Sequence, residues 1–125
     1  MLRLLGILML VSGMASAHDL VPTYPEVKES HIDNIFVVRL ETWNRREGIE
    51  YFEIGVFDKD FNKVRFASTE KIFQLRYLAK KKFKVYIKES DLKTAMYVCT
   101  TSKNKKELGV TRTVVSSKVC SKIGK

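Results

Sequence analysis

Two histidines, two cysteines and a single tryptophan in 125 residues leave little material for catalysis or metal binding. A Ser/His/Asp or Cys/His set needs a histidine held by a rigid scaffold. His18 and His31 both lie in a polar, proline-containing stretch ahead of the first regular pattern, where a histidine reads as solvated. There is no Cys-x-x-Cys, no metal-ligand spacing and no glycine-rich phosphate loop. Asp58 and Asp60 flank Lys59 with the composition of a turn, which is the more economical reading of that acid pair. Internal repeats, low-complexity tracts and long amphipathic helices are also missing. These absences argue against an enzyme and against any cofactor or metal.

Long apolar runs are equally scarce, and the one that exists is N-terminal. Met1-Leu2-Arg3 carries a positive charge, Leu4 to Val11 is apolar, and Ala15-Ser16-Ala17 supplies small residues before His18. That order is a cleavable secretory signal, residues 1–17. The run is shorter than the ~20 residues of a membrane-spanning helix, and Pro22 and Pro25 soon follow, so no retained anchor is expected. No cysteine follows the run to accept a lipid. Export leaves about 108 residues, enough for one core and one domain. In an oxidising compartment Cys99 and Cys120 are most simply one disulfide, closing a loop worth roughly 3 kcal/mol; a redox pair or two metal ligands are the alternatives.

Acidic residues are outnumbered: the formal charge is +9, about +8 once Arg3 is removed. Along the chain the dominant period is two. Phe36, Val38 and Leu40 alternate with Val37, Arg39 and Glu41, and Phe52, Ile54 and Val56 repeat the pattern. Phe83, Val85 and Ile87 alternate with Lys82, Lys84, Tyr86 and Lys88. Val64 to Phe66 is expected to return beside Tyr51 to Phe57 as a hairpin, and Ile72 to Leu75 is a short strand. Glu89 to Thr94 suits one helical turn, Ala95 to Thr101 and Thr111 to Val119 suit strands, and Ser102 to Gly109 suits an exposed loop. Six or seven short strands spaced roughly 8 to 12 residues apart predict an all-β antiparallel sandwich over 33–125. Residues 18–32 precede it as an extended arm or irregular first strand.

From about Ile35 to Ile123 this pattern resembles the immunoglobulin-like N-terminal domain of PapD-like periplasmic fimbrial chaperones. The strand Phe36 to Thr42 ending in a loop that contains Asn44, the aromatic-rich Tyr51 to Asp58, the passage Leu75 to Ile87, the tyrosine-bearing Ala95 to Thr101 and the terminal Val114 to Ile123 carry the likeness. The resemblance implies an immunoglobulin-like sandwich of about seven strands and a periplasmic protein that binds other exported proteins by strand pairing. This chain ends where the family's second domain would begin, so a single-domain relative is expected. The family binds a client's C-terminal carboxylate with an Arg of the first strand and a Lys of the last. No Arg lies between His18 and Asn34, while Lys118 and Lys122 are candidates for the Lys, with Cys120 competing for the position. The Cys99/Cys120 pair is not a family requirement.

Three surfaces therefore compete for function. The last strand, with Val115, Lys118, Val119, Lys122 and Ile123, either completes its own sheet or pairs with an extended segment of a partner. The basic run Lys80, Lys81, Lys82 with Lys84 and Lys88 is either a guard against edge aggregation or a docking face for an acidic partner. Trp43, Arg45 and Arg46 form either a loop hot spot or a cap on the core. Nucleic acid is not an expected partner, because only Tyr77 and Tyr86 accompany the lysines. The expected function is a non-enzymatic, exported protein-binding module, chaperone-like or involved in pilus assembly. A permanent component of an envelope secretion, conjugation or pilus complex, and a secreted polyanion binder, are the alternatives.

Overall fold

The three alternating segments become three of the longer strands of the structure, and their parity decides which side chains are buried. The computed structural model describes residues 18–103 and 117–124. The expected signal peptide, 1–17, and residues 104–116, which include Val115 and most of the expected loop, lie outside the described residues.

One sheet is centred on β3 (Ile35–Asn44). Strands β1 (His18–Val21) and β2 (Val27–Glu29) pair with one side of it and β6 (Lys80–Lys88) with the other, all antiparallel. The second sheet has the order β5 (Ile72–Gln74), β4 (Tyr51–Phe57), β7 (Tyr97–Lys103), β8 (Lys118–Lys122), again antiparallel. A single turn of helix, α1 (Glu89–Leu92), links β6 to β7. β1 and β2 meet different halves of the same side of β3, so they form one interrupted strand of the sheet rather than a separate arm. With those two counted together, the fold is the seven-stranded sandwich that the alternation predicts.

Register brings like with like. Val38 lies opposite Val85 and Leu40 opposite Phe83 on the inner face; Arg39 lies opposite Lys84 and Glu41 opposite Lys82 on the outer one. Phe52, Ile54 and Val56 of β4 and Val98 of β7 close the core from the second sheet. Burying such side chains is worth about 1.5–3 kcal/mol each, which is what holds the two sheets together.

The expected hairpin of Val64 to Phe66 on β4 is shorter than the sequence suggests. It consists of a bridge from Phe57 to Lys63 and the bond from the Val64 N–H to the Val56 carbonyl, 2.8 Å. The turn before it is tied by Asp58, whose Oδ1 accepts the N–H groups of Asp60 and Asn62, each at 2.9 Å. The N–H of Asn62, with that of Asp60, holds the Asp58 carboxyl below the usual carboxylate range. The chain then crosses to the other sheet, where Ala67 exchanges two backbone bonds with Tyr86 at 2.9 and 2.8 Å. The physical reason is apolar: Val64 and Phe66 pack against the core along the side of the sandwich, leaving β5 to pair with β4.

Candidate functional site

Cys99 and Cys120 face each other directly across β7 and β8 and form the disulfide, with Cα atoms 4.0 Å apart. Such close approach marks a position where the two residues do not exchange backbone bonds. The backbone groups of Cys120, and by parity those of Lys118 and Lys122, therefore point to the outer edge of β8. The chain between β1 and β2 covers one end of that edge: the Lys122 N–H donates to the Thr23 carbonyl at 2.9 Å, and the Ser121 hydroxyl donates to the Pro22 carbonyl at 2.7 Å. At Lys118 and Cys120 no described strand pairs with the edge.

The four described residues of the expected last-strand site divide by parity. Val119 and Ile123 are half-buried against the core, where they complete the domain itself. Lys118 and Lys122 are exposed on the outward face, and the Lys118 ammonium sits 4.0 Å from the centre of the Phe57 ring and 5.0 Å from that of Phe61. Phe61 in turn stacks on Tyr97 at 4.8 Å. Val115 lies outside the described residues.

His18, expected to be solvated, is instead fully buried. Its Nε2 lies 3.0 Å from both the carbonyl and the hydroxyl oxygen of Thr100, and its Nδ1 lies 2.9 Å from the Ser117 hydroxyl. The ring rests against Phe52, centroids 4.9 Å apart. Ser102, also buried, accepts the Ser117 N–H at 2.8 Å and extends the network. This cluster pins β1 to β7 and to the residue entering β8, so it sets the shape of the candidate edge from behind. No local pattern announces it, since Thr100 and Ser117 are far from His18 in sequence.

Desolvation by burial pushes the His18 imidazole below its ordinary value near 6.5, against smaller opposing effects of the Thr100 carbonyl and Asp19. The unfolded chain then binds the proton more readily than the folded one, so stability rises with pH in this window. The contribution is complete above the unfolded value and is lost as pH falls through the lowered folded one. The melting temperature is expected to drop as pH falls below the ordinary histidine value, and His18→Gln is expected to flatten that dependence. Equal slopes for the two proteins in a calorimetric pH series would contradict this assignment.

The basic run also divides. Lys80, Lys82, Lys84 and Lys88 are exposed on the outer face of β6, but Lys81 has the opposite parity and does not belong to that face. It turns inward at the margin of the core, pairing with Glu70 at 3.0 Å and lying 5.5 Å from the centre of the Phe73 ring. Trp43 belongs to β3 rather than to a loop, and its parity with Arg39 and Glu41 puts it on the outer face instead of over the core. Arg45 and Lys80 each lie 4.9 Å from its ring centre, and its indole N–H donates to the Leu78 carbonyl at 3.2 Å. Arg46 is exposed, and its backbone N–H donates to Asn44.

No family model matches the chain, and no curated protein matches it. Among solved structures the fold is similar to that of the E. coli chaperone DraB, with a TM-score of 0.62 at 13% sequence identity. The likeness covers 86% of this chain and 53% of that one, so the chain spans about half the length of the chaperone. What the two share is the immunoglobulin-like antiparallel sandwich.

Proposed function

We propose that this is a non-enzymatic, exported protein-binding module that holds an extended segment of another exported protein along the outer edge of β8. The observation that carries this reading is the stretch at Lys118 and Cys120 where no described strand pairs with backbone N–H and C=O groups that point outward. Strand addition draws affinity from main-chain bonds and needs no catalytic side chain. The disulfide fixes the edge in place before a partner arrives, which lowers the ordering cost of binding. The fold likeness to a chaperone supports the same class of activity, and a disulfide suits the periplasm.

The backbone nature of the contact gives a selective test. Lys118→Pro removes one outward N–H and leaves the bonds to β7 intact, a substitution that edge strands tolerate. The partner is first recovered by co-purification from the envelope, and its affinity is then measured with both proteins. Binding is expected to weaken about tenfold, the worth of one hydrogen bond, while the melting temperature holds. Undiminished affinity for the proline variant would show that β8 is not the binding edge. Dissociation of the partner during assembly would mark a chaperone, and retention in the finished complex would mark a structural component.

A further inference from the structure

The outer face of the sheet built on β3 carries a charge arrangement that the fold does not need. Lys80, Lys82 and Lys84 project from β6 at alternate positions, spaced about 6.8 Å apart along a strand. Some lysines of the molecule pair with acids, as Lys81 does with Glu70 at 3.0 Å and Lys103 with Glu53 at 2.9 Å. Among the described residues Lys82, Lys84 and Arg39 make no ion pair. Arg39 and Lys84 even stand directly opposite each other. Tyr86 exchanges its backbone bonds with Ala67, away from β3, so by parity Arg39 and Lys84 occupy the closer type of cross-strand position. Like charges placed so are destabilising, and an anion held between them removes the penalty.

The ground beside these cations suits a polypeptide. A depression of about 560 Å³ is lined by Arg39, Lys82 and Lys84, by Glu41, and by an apolar shelf of Val21 and Pro22. Ala67 and Ser68 occupy the outer edge of β6 at Tyr86 and Lys84, the Ser68 hydroxyl donating to the Lys84 carbonyl at 2.7 Å. From Lys82 to Lys80 no described strand pairs with that edge. The face offers little to other polyanions. Arg45 and Lys80 already lie against the Trp43 ring and Tyr86 is half-buried, which makes a poor platform for bases, and Val21 with Pro22 is too small an apolar area to anchor in lipid.

We propose that this face is a second binding surface and that its occupant is an extended acidic protein segment, with Asp or Glu at every second residue, lying alongside β6. In that alignment the partner's carboxylates share the spacing of Lys80, Lys82 and Lys84. The surface belongs to a different sheet from β8, so it stands or falls apart from the reading given for that edge.

Short fluorescent peptides test the proposal by anisotropy: one alternating Glu and Thr, an isomer of equal composition with the Glu residues in adjacent pairs, and oligothymidylate and anionic vesicles as competitors. The alternating peptide is expected to bind about fivefold tighter than its isomer, and K82E/K84E to weaken it about tenfold or more. Lys118→Pro leaves this binding unchanged. Lys84→Glu relieves the repulsion from Arg39, so its melting temperature is expected to hold or rise, which separates lost binding from lost folding. Equal affinity for the two isomers, or undiminished binding to K82E/K84E, overturns the proposal. Tighter binding of oligothymidylate or of the vesicles overturns it as well and assigns the face to nucleic acid or to membrane.

Discussion

Replacing Phe52 by Ala is expected to destabilise the protein by about 4 kcal/mol, in the range measured for truncating a buried phenylalanine. Phe52, the second residue of β4, is wholly buried, with the Phe73 ring 6.1 Å away and the His18 ring 4.9 Å away. On β7 it faces Ser102, a small residue, so nothing on that strand fills the space. The cavity would also open toward the polar groups around His18 and admit water to a network that is now buried. A domain of this size has about 5–15 kcal/mol in all, so the loss would consume much of it. Urea unfolding is the measurement: the midpoint should fall with the slope preserved. Ile72→Ala, at a solvent-exposed neighbour on β5, is the control and should change stability by less than about 0.5 kcal/mol. A loss below about 1 kcal/mol for Phe52→Ala would mean that the ring is not the keystone of the core.

An effect of similar size is expected at a residue that carries no apolar surface. Asn44, fully buried, ends β3 with all the bonds its side chain has room to make. Its amide NH2 donates to the carbonyls of Ile49 at 2.7 Å and Leu75 at 2.8 Å, and its carbonyl oxygen accepts the Arg46 N–H at 3.0 Å. Its backbone joins the same knot through Ala79 at 3.0 Å and Leu78 at 2.6 Å. One residue thus ties the β3–β4 connection to the end of β5 and to the turn before β6. Asn44→Leu keeps the branched shape of the side chain and leaves three backbone groups without partners, at about 1–3 kcal/mol each where they stay buried. A loss of about 4 kcal/mol is expected. Asn44→Asp should be worse near neutral pH, because a carboxylate oxygen would face two carbonyl oxygens in place of the donors. Chemical denaturation of both variants, beside the exposed Arg46→Ala, checks the ranking. An Asp variant as stable as the wild type would remove the donor role assigned to the side chain.

Strand identity was legible wherever one face is wet and the other dry, as in Phe83, Val85 and Ile87 against Lys82, Lys84 and Lys88. The same parity already separated Lys81 from its neighbouring lysines and aligned Trp43 with Arg39 and Glu41. Reading the lysines as one composition block, and Trp43 as the start of a loop, hid both facts. Other features were beyond any local pattern. The burial of His18 depends on Thr100 and Ser117, and the reach of Asn44 depends on Leu75 and Ala79, so neither exists until distant strands are brought together. The crossing of Val64 to Ala67 between sheets follows the same logic, since Phe66 finds its apolar partners in the core rather than in β4 alone. For the candidate edge, the strand was visible in sequence, but which of its backbone groups point outward follows only from register.

The contacts that join β1 and the turn after it to β8 have a kinetic consequence. His18 meets Ser117, and Pro22 meets Ser121, each across a sequence separation of 99. Contacts of such span are slow to find, because nearly the whole intervening chain must be ordered before they reward it. The segment 117–124 must therefore be present before the side of the sandwich next to β1 can close. A chain emerging from its N-terminal end would stay open along that side until β8 arrived, exposing apolar surface in the meantime.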